Sequence, residues 1–275
     1  MSTTHHYHET PNGTTIHYTQ TGLPTGQLII LLHGLGGSTE TFTPLLPNLN
    51  PDTNRLISVD LEGSGKTPLS SPSVTLSIPR YVKDLEYLVT SLQSTAKLIL
   101  IGHSLGAIIA TQYAALHPES IHGLALLGTG RSIASIPAAR ERMLALAART
   151  RKDGISAAAE TAAISNFPTT GFINQSLRDT IRDAVSQCDA ESYARTCEAI
   201  ASEDHTDPDY SRITAPTVLV AGGGDGISPP ERSVAVQRLI GDNARVEVLD
   251  GVGHQFILQD LEGCSIVLRR FLERL

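Results

Sequence analysis

Residues 97–116 read KLILIGHSLGAIIATQYAAL, and this stretch decides the fold. The apolar, β-favouring run Lys97–Gly102 leads into a glycine-flanked turn at Ser104. An apolar segment, Leu105–Leu116, follows the turn and ends before Pro118. A continuous apolar run of this length is typical of a strand buried on both faces, and helices end at or before the residue preceding a proline. The stretch therefore predicts a buried strand, a sharp turn and a helix.

The same unit of strand, turn and helix recurs on both sides of this stretch. Ser77 is a predicted N-cap, and apolar residues at helical spacing follow it and recur at Pro230–Ile240 and in a last helix ending at Leu275. Residues 11–13, Pro-Asn-Gly, separate two β-favouring segments as in a hairpin. Further strands are predicted at Gln27–Leu32, Arg55–Val59, Ile121–Leu127, Pro216–Ala221 and Arg245–Leu249. Because parallel neighbours need crossover connections, the alternation predicts an α/β fold, a mostly parallel sheet with helices on both faces.

The pattern changes between Arg131 and Arg212. Helical segments rich in Ala and Arg, such as Ala138–Thr150 and Ser176–Ala201, occur there without a strand between them. We interpret this part as a helical insertion that interrupts the α/β core. The predicted organisation is a first part of the core (1–130), a helical insertion (131–214) and a second part of the core (215–275).

The composition argues against several classes of partner. The chain has 275 residues, with 21 Lys and Arg against 28 Asp and Glu, and a formal net charge of −7. No stretch concentrates basic residues, so a phosphate backbone would be repelled and no nucleic acid is expected as a partner. Apolar runs such as Leu28–Leu32 are far shorter than the roughly 20 residues that span a bilayer, so no membrane partner is expected. The sequence carries no signal of an oligomeric state.

The N-terminus and the cysteines favour a cytoplasmic location. The chain begins MSTTHHYH, which lacks the basic start and apolar stretch of a secretory signal. Cys188, Cys197 and Cys264 are scattered and too few for a disulfide framework, and none lies in a tight, glycine-flanked turn. We therefore expect a cytoplasmic protein with three free thiols.

Ser104 is the candidate nucleophile. In Gly102-His103-Ser104-Leu105-Gly106, the pattern G-x-S-x-G stands between a predicted strand and a predicted helix. In that context the small flanking residues allow the backbone to turn sharply and leave the serine hydroxyl exposed above the sheet. The alternative is that Ser104 only caps the following helix, because serine is a favoured N-cap.

His254 and Asp225 are the candidate base and acid. A serine hydroxyl is a weak nucleophile until a base removes its proton, and a carboxylate should hold that base in the right tautomer. His254 ends the segment GVGH (251–254) after the last predicted strand, where a flexible loop can bring the ring to Ser104. Asp225 lies in a glycine-rich loop after the preceding strand. Asp225 could instead be only a turn residue, and Asp250 is the alternative acid.

Two backbone N–H groups are candidates for an oxyanion hole. The oxyanion of an acyl-transfer intermediate is stabilised by preorganised donors. The N–H of Leu105 begins the helix after Ser104, and that of Leu35 lies in the loop His33-Gly34-Leu35-Gly36. The alternative for this loop is a simple connection from strand to helix.

The sequence indicates no metal site and no phosphate-binding loop. His5, His6 and His8 could bind a metal adventitiously, but they lack matched acidic partners. The run Gly222–Gly224 lacks the following lysine of a phosphate-binding loop. It is better explained as giving conformational freedom to the backbone of the loop that contains Asp225. We therefore expect no metal.

Five motifs stand in a fixed order along the chain. They are HGLG (33–36), DLEGSG (60–65), GHSLG (102–106), the loop at Asp225 and Gly253-His254. In this order the sequence resembles the capped α/β-hydrolases, in particular enol-lactonases and carboxylesterases, over nearly the whole core. The resemblance implies an eight-stranded sheet, an insertion folded as a cap over the active site, and cofactor-free hydrolysis of a carboxylic ester or lactone through an acyl-enzyme. Ser64 stands where the family often has a histidine, a departure at a turn that leaves the triad untouched.

Two other functions use the same fold. The same triad can hydrolyse a carbon–carbon bond of a diketone, and a ligand-binding receptor can keep the fold with little catalysis. A cap favours a small-molecule ester or lactone over a polymer as the substrate. Four apolar residues of the insertion are candidates for lining the substrate pocket: Met143, Phe167, Phe172 and Leu177. Each of them could instead belong to the internal packing of the cap.

Overall fold

The computed structural model describes residues 2–94, 97–170 and 174–275. The strands in these ranges are β1 (Thr3–Glu9), β2 (Thr15–Gly22), β3 (Gln27–Leu32), β4 (Asn54–Val59), β5 (Leu98–His103), β6 (Ile121–Leu127), β7 (Thr217–Gly222) and β8 (Ala244–Leu249). They form one sheet in the order β1-β2-β4-β3-β5-β6-β7-β8. Strand β2 is antiparallel to both of its neighbours, β1 and β4, and the other pairs are parallel. This architecture confirms the predicted α/β fold with an eight-stranded, mostly parallel sheet.

Helices flank the sheet and fill the long connection between β6 and β7. In the described ranges the α-helices are α1 (Ile78–Ser91), α2 (Leu105–Leu116), α3 (Pro137–Asp153), α4 (Ile155–Ser165), α5 (Gln175–Ser186), α6 (Ala190–Ala201), α7 (Pro230–Ile240), α8 (Phe256–Gln259) and α9 (Leu261–Leu272). None of these described helices combines the length and the apolar character needed to cross a membrane.

Several bounds follow from local sequence signals. The Ser77 side chain accepts a hydrogen bond from the Arg80 N–H and so caps α1. The residues Pro-Asn-Gly at 11–13 join β1 to β2 as a hairpin, with Gly13 at a φ of 88°. Helix α2 and strand β6 begin and end where the sequence predicts.

Two helical bounds differ from the sequence prediction. The segment 176–201 forms two helices, α5 and α6, because the Asp189 side chain accepts from the Ser192 N–H at 2.8 Å and caps a new helix. The last helix ends at Leu272 rather than Leu275. Periodicity alone predicts one helix in this stretch, whereas the side-chain cap at Asp189 divides it into two.

Alternate side chains of β3 pack on opposite faces of the sheet. Leu28, Ile30 and Leu32 join the core formed with α1 and α2, whereas Ile29 and Leu31 join the core on the side of α8 and α9. This division follows from the two-residue period of a strand whose two faces are both covered. Polar side chains that act chemically are therefore confined to the strand ends, and the carboxyl ends of the parallel strands meet at one edge.

Helices α3 to α6 pack together and rest on this carboxyl edge. Their shared apolar cluster includes Ala147, Ala158, Ala159, Ala194 and Cys197. Val185 and Tyr193 press on the loop after β3, since a Cβ added at Gly36 would lie 2.9 Å from Val185 Cγ2 and 3.1 Å from Tyr193 Cε2. We call residues 131–214 the cap; its bounds as a separate domain stay a prediction.

Gly106 offers a test of how tightly α2 crosses the sheet. A Cβ at this position would lie 2.0 Å from the Leu32 carbonyl oxygen and 2.8 Å from that of His33, both backbone atoms. We expect Gly106→Ala to lower the free energy of unfolding by about 3 kcal/mol or more, measured by urea denaturation, because neither side of the contact can yield. Gly226→Ala, with nothing within 4 Å of the added Cβ, is the control and should change it by less than about 0.5 kcal/mol. Equal stability of the two variants would contradict this account of the packing.

Candidate active site

Ser104 occupies a strained turn between β5 and α2. Its backbone has φ 53° and ψ −112°, a left-handed conformation that a non-glycine residue rarely adopts. A Cβ at Gly102 would lie 2.4 Å from the carbonyl oxygen of Gly106, so the close return of the backbone requires a glycine at position 102. Ser104 stands at the N-cap position, but its side chain makes no capping hydrogen bond. The hydroxyl is thus left available at the carboxyl edge of the sheet.

His254 and Asp225 form a buried hydrogen-bonded pair. His254 Nδ1–H donates to Asp225 Oδ2 at 2.7 Å, and the residues are 4% and 3% exposed. The other carboxylate oxygen, Asp225 Oδ1, accepts from the N–H groups of Ile227 and Ser228, both at 2.8 Å. Asp225 is therefore a turn residue and a partner of the histidine at once. Asp250 is exposed and belongs to neither interaction.

The surroundings of Asp225 favour its carboxylate form. Burial alone would raise the pKa of this carboxyl, but the hydrogen bond from His254 and the N–H groups of Ser228 and Ile227 outweigh burial. The pKa of Asp225 consequently lies below its ordinary value. A carboxylate at this place fixes the His254 tautomer with its proton on Nδ1 and leaves Nε2 as the basic nitrogen.

The loop of His254 lies beside the end of β6, next to the nucleophile. A Cβ at Gly128 would lie 2.9 Å from His254 Cε1, and the preceding residue, Leu127, accepts a hydrogen bond from the Ser104 N–H at 2.9 Å. Serine and histidine thus lie against consecutive residues of one strand end. Ser104 Oγ and His254 Nε2 are not hydrogen-bonded in the described structure.

The two candidate oxyanion donors flank Ser104. Leu105 is the first residue of α2, and the loop containing Leu35 approaches so closely that a Cβ at Gly34 would lie 3.0 Å from Ser104 Cβ. Neither N–H donates a hydrogen bond to another described residue. Both groups are therefore free to bind a ligand oxygen near the serine.

A match to a protein family agrees with this arrangement. Residues 27–261 match the family model described as the alpha/beta hydrolase fold. The chain belongs to the α/β-hydrolase family. A relative in Neisseria meningitidis, a pimeloyl-acyl-carrier-protein methyl ester esterase, is 27% identical over 260 residues, which cover 89% of this chain and 93% of that protein. Another in Metapseudomonas resinovorans, a 2-hydroxy-6-oxo-6-(2'-aminophenyl)hexa-2,4-dienoic acid hydrolase, is 24% identical and spans 90% and 85% of the two chains.

Solved structures of α/β-hydrolases share the whole architecture of this chain. A thermophilic esterase from Thermogutta terrifontis superposes with a TM-score of 0.86 at 25% identity, covering 98% of both chains. The enol-lactonase from Burkholderia xenovorans has a TM-score of 0.83 at 23% identity and covers 98% of this chain and 100% of its own. The resemblance to capped esterases and enol-lactonases is thereby confirmed.

The α/β-hydrolase motif at residues 60–65 holds the loops together. Asp60 accepts hydrogen bonds from His17 Nδ1–H at 2.7 Å and from the N–H groups of Thr39 and Lys66 at 2.6 and 2.8 Å. Ser64, the departure from the family pattern, lies in the turn of this motif, where its backbone pairs with Thr67. This motif therefore orders the backbone around the site.

His33 and His103 are buried histidines that sequence reasoning names only as parts of motifs. His33 Nδ1–H donates to the Gly34 carbonyl at 2.7 Å while its Nε2 accepts from the Leu61 N–H at 3.2 Å, which is the bonding of a neutral ring. His103 Nε2–H donates to the carbonyl of His254 at 2.8 Å. Burial lowers the pKa of both, that of His103 to about 3 with a further contribution from nearby His254. A histidine at the end of a buried strand, as His103 in β5, or directly after it, as His33 after β3, is the signal in the sequence for this role.

The candidate lining residues of the cap occupy different environments. Phe167 is buried beside the His254 loop, with the Arg178 guanidinium 5.1 Å from its ring centroid. Met143 packs between the core of the sheet and the core of the cap, and Leu177 is half-buried on α5. Phe172 lies outside the described residues. Contact of these side chains with substrate stays a prediction.

The neutral state of His103 predicts a pH dependence of stability. Its folded pKa, about 3, lies below its ordinary value of 6.5, so the unfolded chain binds the extra proton and stability falls as the pH falls through that interval. We expect His103→Gln, which retains a donor for the His254 carbonyl, to make the loss between pH 6 and pH 4.5 shallower by about 1 kcal/mol per pH unit. Denaturant titrations at several pH values measure this slope.

A second variant separates this effect from the loss of any histidine. His122→Gln replaces a half-buried histidine of β6 and is the control for the loss of a histidine outside the site. A parental slope in His103→Gln would show that His103 is not held neutral by the fold.

Proposed function

We propose that this α/β-hydrolase cleaves a carboxylic ester or lactone through an acyl-enzyme formed on Ser104. The observation that carries the proposal is the buried pair of His254 and Asp225 beside a serine held in a strained turn. Strained backbone and buried titratable pairs of this kind cluster at functional sites. The substrate class is supported by a relative and a solved structure that are both named as esterases.

The proposed reaction has two half-steps. Ser104 Oγ attacks the carbonyl carbon while His254 Nε2 takes its proton, and the N–H groups of Leu35 and Leu105 bind the oxyanion. Collapse breaks the bond to the alcohol oxygen, which receives the proton from His254 Nε2. Water, deprotonated by the same nitrogen, then attacks the acyl-enzyme. Collapse breaks the bond between the acyl carbon and Ser104 Oγ, which takes the proton back from His254 Nε2 as the acid leaves. Asp225 stays a carboxylate and stabilises the imidazolium, so every step uses groups of the chain and water.

In this proposal the hydrogen bond between Ser104 Oγ and His254 Nε2 forms when the substrate binds. Bonds between catalytic groups are often long or misaligned in unliganded enzymes and tighten when substrate binds. The Ser104 side chain is half-buried and makes no capping bond, so in this proposal it rotates about χ1 to bring Oγ toward the base. The rigid Asp225–His254 pair supplies the fixed partner.

Hydrolysis of a carbon–carbon bond is the second candidate. The relative from Metapseudomonas resinovorans, a hydrolase of a 2-hydroxy-6-oxo-dienoic acid, favours it. The same serine, histidine and aspartate would act on a ketone in place of an ester, with a carbanion as the leaving group. We favour the ester because relatives named as esterases occur both among the sequences and at the highest structural similarity reported above.

We propose the cytoplasm as the compartment. Cys188, Cys197 and Cys264 are all free thiols, and the last two are buried. Free thiols are typical of reducing compartments.

Ser104→Ala tests the nucleophile. We expect kcat on short p-nitrophenyl esters and on lactones to fall by about 10⁴-fold or more, because the attacking oxygen is removed. A vinylogous diketone of the 2-hydroxy-6-oxo-dienoic type, assayed beside the esters, ranks the two candidate functions by kcat/KM. Ester turnover that persists in Ser104→Ala would exclude the acyl-enzyme, and a higher kcat/KM on the diketone would favour the second candidate.

Asp225→Asn tests the acid. The amide cannot stabilise an imidazolium and favours the wrong tautomer, so we expect kcat on the same esters to fall by about 10³-fold. Asp250→Asn is the matched control, since this exposed carboxylate is near His254 in sequence and outside the site. A large loss in Asp250→Asn, with little loss in Asp225→Asn, would reassign the acid.

A further inference from the structure

The end of helix α4 in the cap is hydrogen-bonded to the loop of the general base. Asn166 is the C-cap residue of α4, and its carbonyl accepts from the His254 N–H at 2.8 Å and from Gln259 Nε2–H at 3.2 Å. Its side chain accepts from Gln255 Nε2–H through Oδ1 at 2.7 Å. Through Nδ2–H the same side chain donates to the Ala162 carbonyl at 2.9 Å, within α4. One cap residue thus joins α4 to His254 and Gln255 in the base loop and to Gln259 at the end of α8.

Close packing accompanies these bonds. A Cβ at Gly253 would lie 2.7 Å from the Asn166 carbonyl oxygen and 3.0 Å from Phe167 Cα. A Cβ at Gly224, beside Asp225, would lie 2.8 Å from Pro168 Cγ. The cap segment 166–168 therefore touches the loop of the base and the loop of the acid, with no room for a side chain between them.

The backbone of His254 has one anchor on the core and one on the cap. Its carbonyl accepts from His103, the residue before the nucleophile, and its N–H donates to Asn166. Without the cap anchor the buried N–H would lose its acceptor, which a buried amide tolerates poorly. The position of the cap therefore affects the geometry of the imidazole directly, through the backbone N–H of His254.

We propose that Asn166 is a positioning residue, which couples the seating of the cap on the core to the orientation of His254. The proposal rests on the proposed function, in which His254 is the general base. Asn166 acts through its neighbour and does not touch the reacting atoms. Its amide is suited to this task because it donates to α4 and accepts from the base loop, and so fixes the carbonyl that holds the His254 N–H.

Asn166→Ala removes both side-chain bonds and keeps the backbone carbonyl. We expect kcat for ester hydrolysis to fall about tenfold with KM changed by less than about threefold, because a loosened base affects the chemical step more than binding. The matched control is Gln187→Ala at the C-cap of α5. Gln187 has nearly the same backbone conformation as Asn166, with φ −79° and ψ −10° against φ −79° and ψ −7°. Unlike Asn166, it is exposed, and its N–H bonds only to carbonyls of α5. It should retain parental kcat.

Labelling with a fluorophosphonate separates positioning from folding. A positioning role lowers the rate at which Ser104 is labelled and leaves the final labelled fraction intact. A merely structural role lowers the labelled fraction at an unchanged rate. Gln255→Ala removes the same bond from the core side, so it carries the test if Asn166→Ala does not fold, and the double variant should lose no more kcat than the more affected single one.

The outcomes distinguish the two levels of the proposal. Parental kcat and labelling rate in both Asn166→Ala and Gln255→Ala, with Ser104→Ala inactive in the same assay, would overturn the role of Asn166 and leave the hydrolase standing. A reduced labelled fraction at an unchanged rate would overturn it as well. Hydrolysis that survives Ser104→Ala would overturn both.

Discussion

The first turn of α2 lies against the carboxyl end of β3 with no space for a side chain at Gly106. The backbone oxygens of Leu32 and His33 occupy the place that a Cβ would take. This contact forces the chain to reverse within a few residues after β5, and the left-handed backbone of Ser104 is the consequence. It also brings the free N–H of Leu105 and the loop of Leu35 to the two sides of the serine. The site thus depends on backbone packing before any side-chain chemistry.

Burial assigns different tasks to the histidines around the site. His33 and His103 bond through groups that suit a neutral ring, and burial lowers the pKa of each. They connect loops that follow β3, β4 and β8, and the hydrogen bonds of both rings within the described residues are to backbone groups. His254 alone of these three donates to a carboxylate, and Asp225 is held in its charged form. A charged ring is therefore disfavoured at His33 and His103, whereas the ring of His254 is bonded to a carboxylate.

The parts of this molecule that local patterns encode could be read from the sequence. Apolar runs predict the parallel strands, and because such strands end at one edge, Asp225 and His254 could be expected to meet there. The division of the segment 176–201 at Asp189 was missed, because a single cap outweighed a long helical pattern. Asn166 carried no signal at all, since its contact with His254 is made by a carbonyl that every residue possesses. Side-chain patterns reveal what a side chain does, whereas a role performed by the backbone is visible only in the fold.

If Asn166 has the proposed role, the cap segment that would contact the substrate also positions the catalytic base. Phe167, a candidate lining residue, is the next residue along the chain, and Pro168 touches the loop of the acid. A substitution that widens the pocket at this segment would therefore also move the carbonyl that holds the base. Positions farther from it, such as Met143 and Leu177, are free of this constraint because they have no bond to either triad loop. Changes of substrate preference without loss of turnover should accordingly arise on α3 and α5, while the segment 166–168 keeps the geometry of the base.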